Sequence, residues 1–259
     1  MAAFATCCNV LTLRLMEVCV RLPWWSSLRE QQWLRLMMRL MAWLRQQEPV
    51  TLLVMLLVVM GAWGFIELAD EVMEGTTQTL DTWAVRVLRQ PDRPEFPRGP
   101  RWVAEAGRDV TALGSYAVLS LVVAAVAGFL RLQGHPRAMW LVLLASVGGA
   151  LISHLLKIYY DRERPDLVPL AGTMTPSFPS GHAMLSAVIY LSLGALLAQT
   201  AFKRRVKAYC LTVALVLTFL VGISRIYLGV HYPTDVLAGW TVGLIWALGC
   251  WLVGRVIRQ

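Results

Sequence analysis

The sequence predicts an all-α polytopic membrane protein, six transmembrane helices preceded by an amphipathic N-terminal helix, and three observations carry that expectation. Hydrophobic residues make up 57% of the 259 and charged residues only 15%, more apolar material than a soluble domain of this size can bury. Mean hydropathy is +0.57, and several uncharged runs approach the roughly 20 residues that cross a hydrocarbon core. The basic residues sort by loop, as expected of a protein threaded through a bilayer.

Residues 1–48 form a cytoplasmic or interfacial segment in this reading, ahead of a membrane domain over 49–259. The first residues lack a signal-peptide pattern, because no cation precedes the apolar stretch and Arg14 and Glu17 interrupt it. From Leu28 to Gln47, apolar residues recur at helical spacing with Arg29, Arg35, Arg39 and Arg45 between them, the pattern of a helix lying at the headgroups.

Uncharged runs then place spans at Val50–Ile66, Val110–Leu130, Ala138–Leu156, Gly181–Phe202, Ala208–Ser224 and Val236–Gly254. The stretch from Glu67 to Asp109, rich in both charges and prolines, reads as a loop with short helical pieces, and Asp109 as an N-cap of the second span. With both termini inside, the cytoplasmic segments hold fourteen Lys and Arg against Glu17, Glu30 and Glu48. The net charge of +8 therefore reflects topology and not nucleic-acid binding. Cys7, Cys8, Cys19, Cys210 and Cys250 imply neither a disulfide framework nor a metal site.

Three segments facing the outer side carry the chemistry. In KIYYDRERP, Pro165 disfavours helical geometry at Arg164, so the chain leaves its helix and Arg164 folds back toward Lys157. In SFPSGHAM, Ser180 and Gly181 open a helix whose free N–H groups and dipole suit an anion, with His182 beside it. In SRIYLGVHYPTD, Arg225 adds a cation, and Asp235, four residues after His231, is placed to accept its Nδ1 proton and leave Nε2 free to attack. Three cations for one multiply charged anion and two histidines for opposite ends of a displacement fit phosphoryl transfer.

These blocks, Lys157 through Arg164-Pro165, Pro179-Ser180-Gly181-His182, and Ser224-Arg225 through His231 to Asp235, resemble in order and spacing the type 2 phosphatidic acid phosphatase family. That family includes phosphatidylglycerophosphatase B-like and undecaprenyl-diphosphatase-like members. The resemblance implies a metal-independent, cofactor-free lipid phosphatase working through a phosphohistidine. His231 would be the nucleophile, Asp235 its orienter and His182 the general acid, and Lys157, Arg164, Ser180, Gly181 and Arg225 would grip the phosphate. Taken singly, Lys157 and Arg225 read as interfacial anchors; the full constellation favours the functional reading. His154 is left out as a packing residue, and Asp161, Arg162 and Glu163 read as solvated loop charges or local salt bridges.

The expected substrate is a lipid phosphate in the bilayer: phosphatidate, phosphatidylglycerophosphate or undecaprenyl diphosphate. Nucleic acid is not expected as a partner, and the sequence names no protein partner. The expected setting is a bacterial inner membrane, with the site on its outer face. A lipid-to-acceptor phosphotransferase, or an anion or phospholipid transporter, remains as an alternative. Charges gathered at one interface, with no inverted repeat, weigh against the transporter.

Overall fold

The computed structural model describes residues 48–165 and 175–256. The amphipathic helix expected over Leu28–Gln47 lies outside the described residues. By its internal packing the chain divides into two units, Met1–Leu53 and Val54–Gln259.

Eight helices and one small sheet follow in order among the described residues: α1 (Pro49–Met73), α2 (Gln78–Val87), β1 (Arg89–Gln90), β2 (Arg93–Pro97), α3 (Arg101–Ala112), α4 (Tyr116–Leu132), α5 (Pro136–Tyr160), α6 (Gly181–Thr200), α7 (Arg204–Tyr227) and α8 (Pro233–Val256). Helices α1, α5, α6, α7 and α8 are each long and apolar enough to cross a membrane. The α3–α4 pair passes the same test as a unit but is bent by 46°, so the described residues hold five to six candidate spans.

Two expectations need correction here. The run from Val110 to Leu130 is not one helix. It breaks at Leu113–Ser115, where the Ser115 hydroxyl accepts from the Val118 N–H at 3.3 Å and starts α4 anew. Asp109 therefore sits exposed in the last turn of α3 and caps nothing. The connection after α1 also departs from all-α, since antiparallel β1 and β2 interrupt its helical pieces. Pro91 and Pro94, which cannot continue a helix, flank that reversal.

Helix α6 is the axis of the bundle. Over its most apolar window 56% of residues are buried, against 11% for α1, and it packs most extensively on α7 and α8. Leu185, Val188 and Ile189 of α6 share one core with Leu119, Val123 and Leu130 of α4 and Val142 and Ala145 of α5. Other helices turn large apolar side chains outward, such as Val59, Trp63, Leu121, Val147 and Phe219, an arrangement for lipid and not for water.

Glycine sets how closely α8 approaches α6. Gly239 and Gly243 stand one turn apart on α8, and a Cβ there would come within 2.7 Å of the Ser180 carbonyl oxygen and 2.6 Å of the Met184 carbonyl oxygen respectively. Without side chains at these positions the two backbones meet, a small-residue contact common between membrane helices. The Ser180 N–H consequently reaches the Asp235 carbonyl at 2.9 Å, which ties the start of α6 to the start of α8.

Candidate active site

The C-terminal ends of α5 and α7 and the N-terminal ends of α6 and α8 meet at one end of the bundle, and each carries one of the residues singled out in the sequence. Helix α5 runs one turn past the expected end at Leu156. Asp161 adopts a left-handed conformation, φ 38° and ψ 39°, so the helix ends at Tyr160 and Glu163, Arg164 and Pro165 belong wholly to the loop. Beneath it, buried Phe178 packs on Phe65 and Tyr160, with ring centroids 6.1 and 5.1 Å away, and this apolar floor supports the chain entering α6.

His231 and Asp235 form the centre. Asp235 is the third residue of α8, and its Oδ2 accepts from the Tyr232 N–H at 2.8 Å, the backward half of a capping box. The same oxygen accepts from the Ser177 hydroxyl and lies 3.4 Å from His231 Nδ1. Ser177 Oγ is itself 3.3 Å from that nitrogen. The imidazole is thus steered by carboxylate and hydroxyl together, where the sequence suggested the carboxylate alone.

The other ring nitrogen, Nε2, faces Arg164, 3.5 Å from its Nη1. Arg164 is held by the Thr175 carbonyl at 2.9 Å, the Thr175 hydroxyl at 3.0 Å and the Val230 carbonyl at 3.0 Å. Burial of the His231 ring, against the opposing pull of Asp235, drives its pKa down to about 3, so the imidazole is neutral at pH 7 with a lone pair available.

Lys157 donates to the Pro176 carbonyl and Arg225 to the Thr111 hydroxyl at 3.1 Å. Both lie within electrostatic reach of Arg164, and all three cations act on His182. Gly181 closes this space from α6: a Cβ there would lie 3.5 Å from Lys157 Cε and 3.4 Å from Ser153 Oγ. Among the described residues, the buried Ser180 hydroxyl and Arg225 Nε have no hydrogen-bond partner. Buried donors are normally paired, and here they stand beside converging cations and a helix N-terminus, a setting suited to an oxyanion.

All eight singled-out residues, Lys157, Arg164, Ser180, Gly181, His182, Arg225, His231 and Asp235, therefore come to one end of the bundle. His154 is exposed, so it is not the packing residue that the sequence suggested. Arg162 does not behave as a solvated loop charge. Its side chain is only 9% exposed, and it bridges Asp235 Oδ1 at 2.7 Å and Asp81 Oδ2 at 2.8 Å. Asp81, read only as one acid in a long loop, is fully buried on α2. One signal could have found it: Asp81 and Val85 are one turn apart on a short helix, so the acid occupies the stripe where an apolar residue belongs. No group of three or more His, Cys, Asp or Glu able to hold a metal occurs among the described residues.

A bundle of apolar helices that gathers a histidine–carboxylate pair and three cations at one end has the layout of a membrane enzyme acting on an anion. The model of the PAP2 superfamily matches residues 138–258. Phosphatidylglycerophosphatase B of Bacillus subtilis is 34% identical over 189 residues, covering 70% of this chain and 86% of the relative. The undecaprenyl-diphosphatase BcrC of Bacillus subtilis is 30% identical over 107 residues, covering 39% and 50%. The crystal structure of a transmembrane PAP2-type phosphatidylglycerolphosphate phosphatase from Bacillus subtilis superposes with a TM-score of 0.68 at 30% identity, covering 78% of this chain and 98% of that one. The chain belongs to the PAP2 superfamily and is a membrane-embedded phosphatase.

Proposed function

We propose that the protein removes phosphate from the headgroup of a membrane lipid by way of a phosphohistidine. The carrying observation is the orientation of His231, whose Nδ1 faces Asp235 and Ser177 while Nε2 faces Arg164. In this reading Lys157, Arg164 and Arg225 hold the phosphate oxygens with the Ser180 hydroxyl and the first N–H groups of α6. Nε2 of His231 attacks phosphorus, the bond to the leaving oxygen breaks, and His182 supplies the proton that oxygen needs. His182 then takes a proton from water as it attacks the phosphohistidine, which frees His231 and inorganic phosphate.

The substrate class follows from where the cluster sits. At the end of an apolar bundle, a headgroup can reach the cations while its chains remain in lipid. The names of the relatives, a phosphatidylglycerophosphatase and an undecaprenyl-diphosphatase, support a terminal lipid monophosphate or diphosphate, with phosphatidate, phosphatidylglycerophosphate and undecaprenyl diphosphate as the candidates. Residues 49–259 would form the phosphatase domain and cross the membrane six times, the bent α3–α4 pair counting as one span, behind an interfacial helix in residues 1–48.

Orientation rests on charge. The connections at the end opposite the site carry Arg131, Arg137, Lys203, Arg204, Arg205 and Lys207, with no acid from Leu130 to Met139 or from Gln199 to Tyr209. That end would face the cytoplasm of a bacterial inner membrane and the site would face outward.

Phosphate release by the purified chain in detergent micelles tests the function across those three lipids and a soluble sugar phosphate. Hydrolysis of the lipids is expected, together with phosphate label that survives an alkaline quench and is lost in acid, on wild type but not on His231→Ala. Efficient cleavage of the sugar phosphate alone would overturn the proposal. A single cysteine at exposed Asp92, in a cysteine-free background, should react with an impermeant maleimide on intact cells, and protection until lysis would reverse the orientation.

A further inference from the structure

Asp235 has two oxygens, and only one of them serves the histidine. Oδ2 takes the Tyr232 N–H, the Ser177 hydroxyl and the His231 ring, whereas Oδ1 is occupied by Arg162 Nη1 at 2.7 Å. Arg162 is fixed in turn from outside the three signature blocks. Its Nη2 donates to Asp81 Oδ2 at 2.8 Å and to Gln78 Oε1 at 3.1 Å, and its guanidinium lies 4.5 Å above the Tyr232 ring. Gln78 and Asp81 are three residues apart on α2 and so share a face. Asp81 also accepts from the Thr234 N–H at 3.2 Å and the Thr234 hydroxyl at 2.5 Å.

We propose that Asp81 and Arg162 are positioning residues for the reaction, a buried charge chain that lets Asp235 keep its negative charge for the His231 ring. The proposal rests on the reading of His231 as nucleophile. When Nε2 bonds to phosphorus and the phosphorus–oxygen bond breaks, the ring still carries its Nδ1 proton and becomes a cation. Asp235 is its counter-charge. Arg162 alone would cancel that charge, because an arginine at 2.7 Å from one carboxylate oxygen competes directly with the imidazolium on the other. Asp81 removes the competition. Taken together, Asp81, Arg162 and Asp235 carry one net negative charge, and the end of the chain nearest the ring is negative.

The chain also fixes geometry. With Oδ1 pinned by Arg162, the carboxylate cannot rotate about its own axis and exchange the oxygen that faces His231. Helix α2 thereby acts on a ring it does not touch.

Removing Asp81 should thus weaken turnover while every group that binds phosphate stays in place. The test uses the full chain in detergent with micellar phosphatidate, reading kcat, KM and the inhibition constant of inorganic phosphate, alongside a thermal melt. Asp81→Asn is expected to lower kcat about a hundred-fold, the cost of a small misplacement or lost counter-charge at a reacting centre. KM and phosphate inhibition should stay near wild type. Arg162→Lys, which keeps the charge but not the two-armed bridge, should fall between.

The double variant Asp81→Asn/Arg162→Gln leaves Asp235 as the one charge of the chain and no buried cation unpaired, so it should recover about tenfold over Asp81→Asn. If Asp81→Asn folds poorly, Arg162→Lys and the double variant decide the matter. A melt that falls with kcat unchanged, a loss confined to KM, or a double variant no better than Asp81→Asn would each overturn the proposal. His231→Ala run in parallel separates the two claims: turnover in that variant removes the nucleophile and this proposal with it. An inert His231→Ala beside a normal Asp81→Asn removes this proposal alone.

Discussion

Asp235→Asn asks how much of the site depends on a single negative charge. The residue is fully buried and receives four donors, the Tyr232 N–H at 2.8 Å, Arg162 at 2.7 Å, the Ser177 hydroxyl and the His231 ring at 3.4 Å. An amide is the same shape but offers one acceptor oxygen and one donor group. If its oxygen replaces Oδ2, the NH2 meets Arg162 head-on; if it replaces Oδ1, the NH2 meets three donors. Either way one side is left unsatisfied, and Arg162 keeps only Asp81 as a charged partner.

Leaving a charged group short of a buried partner costs about 3 kcal/mol, so a thermal melt should fall by several degrees while the protein remains folded at 25 °C. The effect on rate is separate. An orienting carboxylate beside a catalytic histidine is worth about ten-thousand-fold in the serine-protease triad, a barrier change of about 5 kcal/mol. Here Ser177 also steers the ring, so a loss of about a thousand-fold is expected in phosphate release at saturating lipid. Activity within about fivefold of wild type, in protein whose melt is shifted, would refute the view that the Asp235 charge supports the histidine.

Three further outcomes follow. The pKa of His231 is lowered on folding from the ordinary 6.5 to about 3, so the unfolded chain binds this proton first as pH falls. The stability tied to it is complete above pH 6.5 and lost progressively toward pH 3. The melting temperature should drop between pH 7 and pH 5, and by less in His231→Gln, and an equal drop in both would remove His231 as the cause. Gly239→Ala drives a methyl to 2.7 Å from the Ser180 carbonyl oxygen and 3.1 Å from the Met184 nitrogen; it should cost about 1–3 kcal/mol of stability and lower turnover by moving the start of α6, whereas Gly64→Ala, with open space around it, should do neither. Because Lys157, Arg164 and Arg225 supply the positive charge, EDTA should leave activity standing and orthovanadate should inhibit; loss with EDTA that Mg²⁺ restores would count against the phosphate site drawn above.

How much of this was legible in the sequence depended on whether a residue's chemistry was local. Hydropathy located the apolar helices because a span must satisfy its backbone internally, and its clear failure, the break at Leu113–Ser115, lies where Gly114 and a capping serine interrupt an otherwise apolar run. Ser180, Gly181 and His182 could be read from position alone, since a helix N-terminus suits an anion whatever packs around it, and Lys157 is a cation in the last turn of the preceding helix. The pairing of His231 with Asp235 was visible for the same reason, as four residues across the start of a helix leave few other arrangements.

Arg162 and Asp81 were not visible, because their charged partners are distant and the local Thr77 hydroxyl, 3.3 Å from Asp81 Oδ2, does not mark a buried charge. They stand 81 residues apart and acquire meaning only when α2 is laid against the first turn of α8. The composition of a charged loop gives the same prior to a solvated acid and to a buried one. What separates them is desolvation: a carboxylate with no exposed surface is tolerated only where donors are already assembled, and here they come from Arg162 and the first turn of α8. A buried charge outside the signature blocks is therefore the feature of this fold that sequence spacing conceals and packing exposes, and it lies three contacts from the ring that the chemistry requires, by way of Arg162 and Asp235.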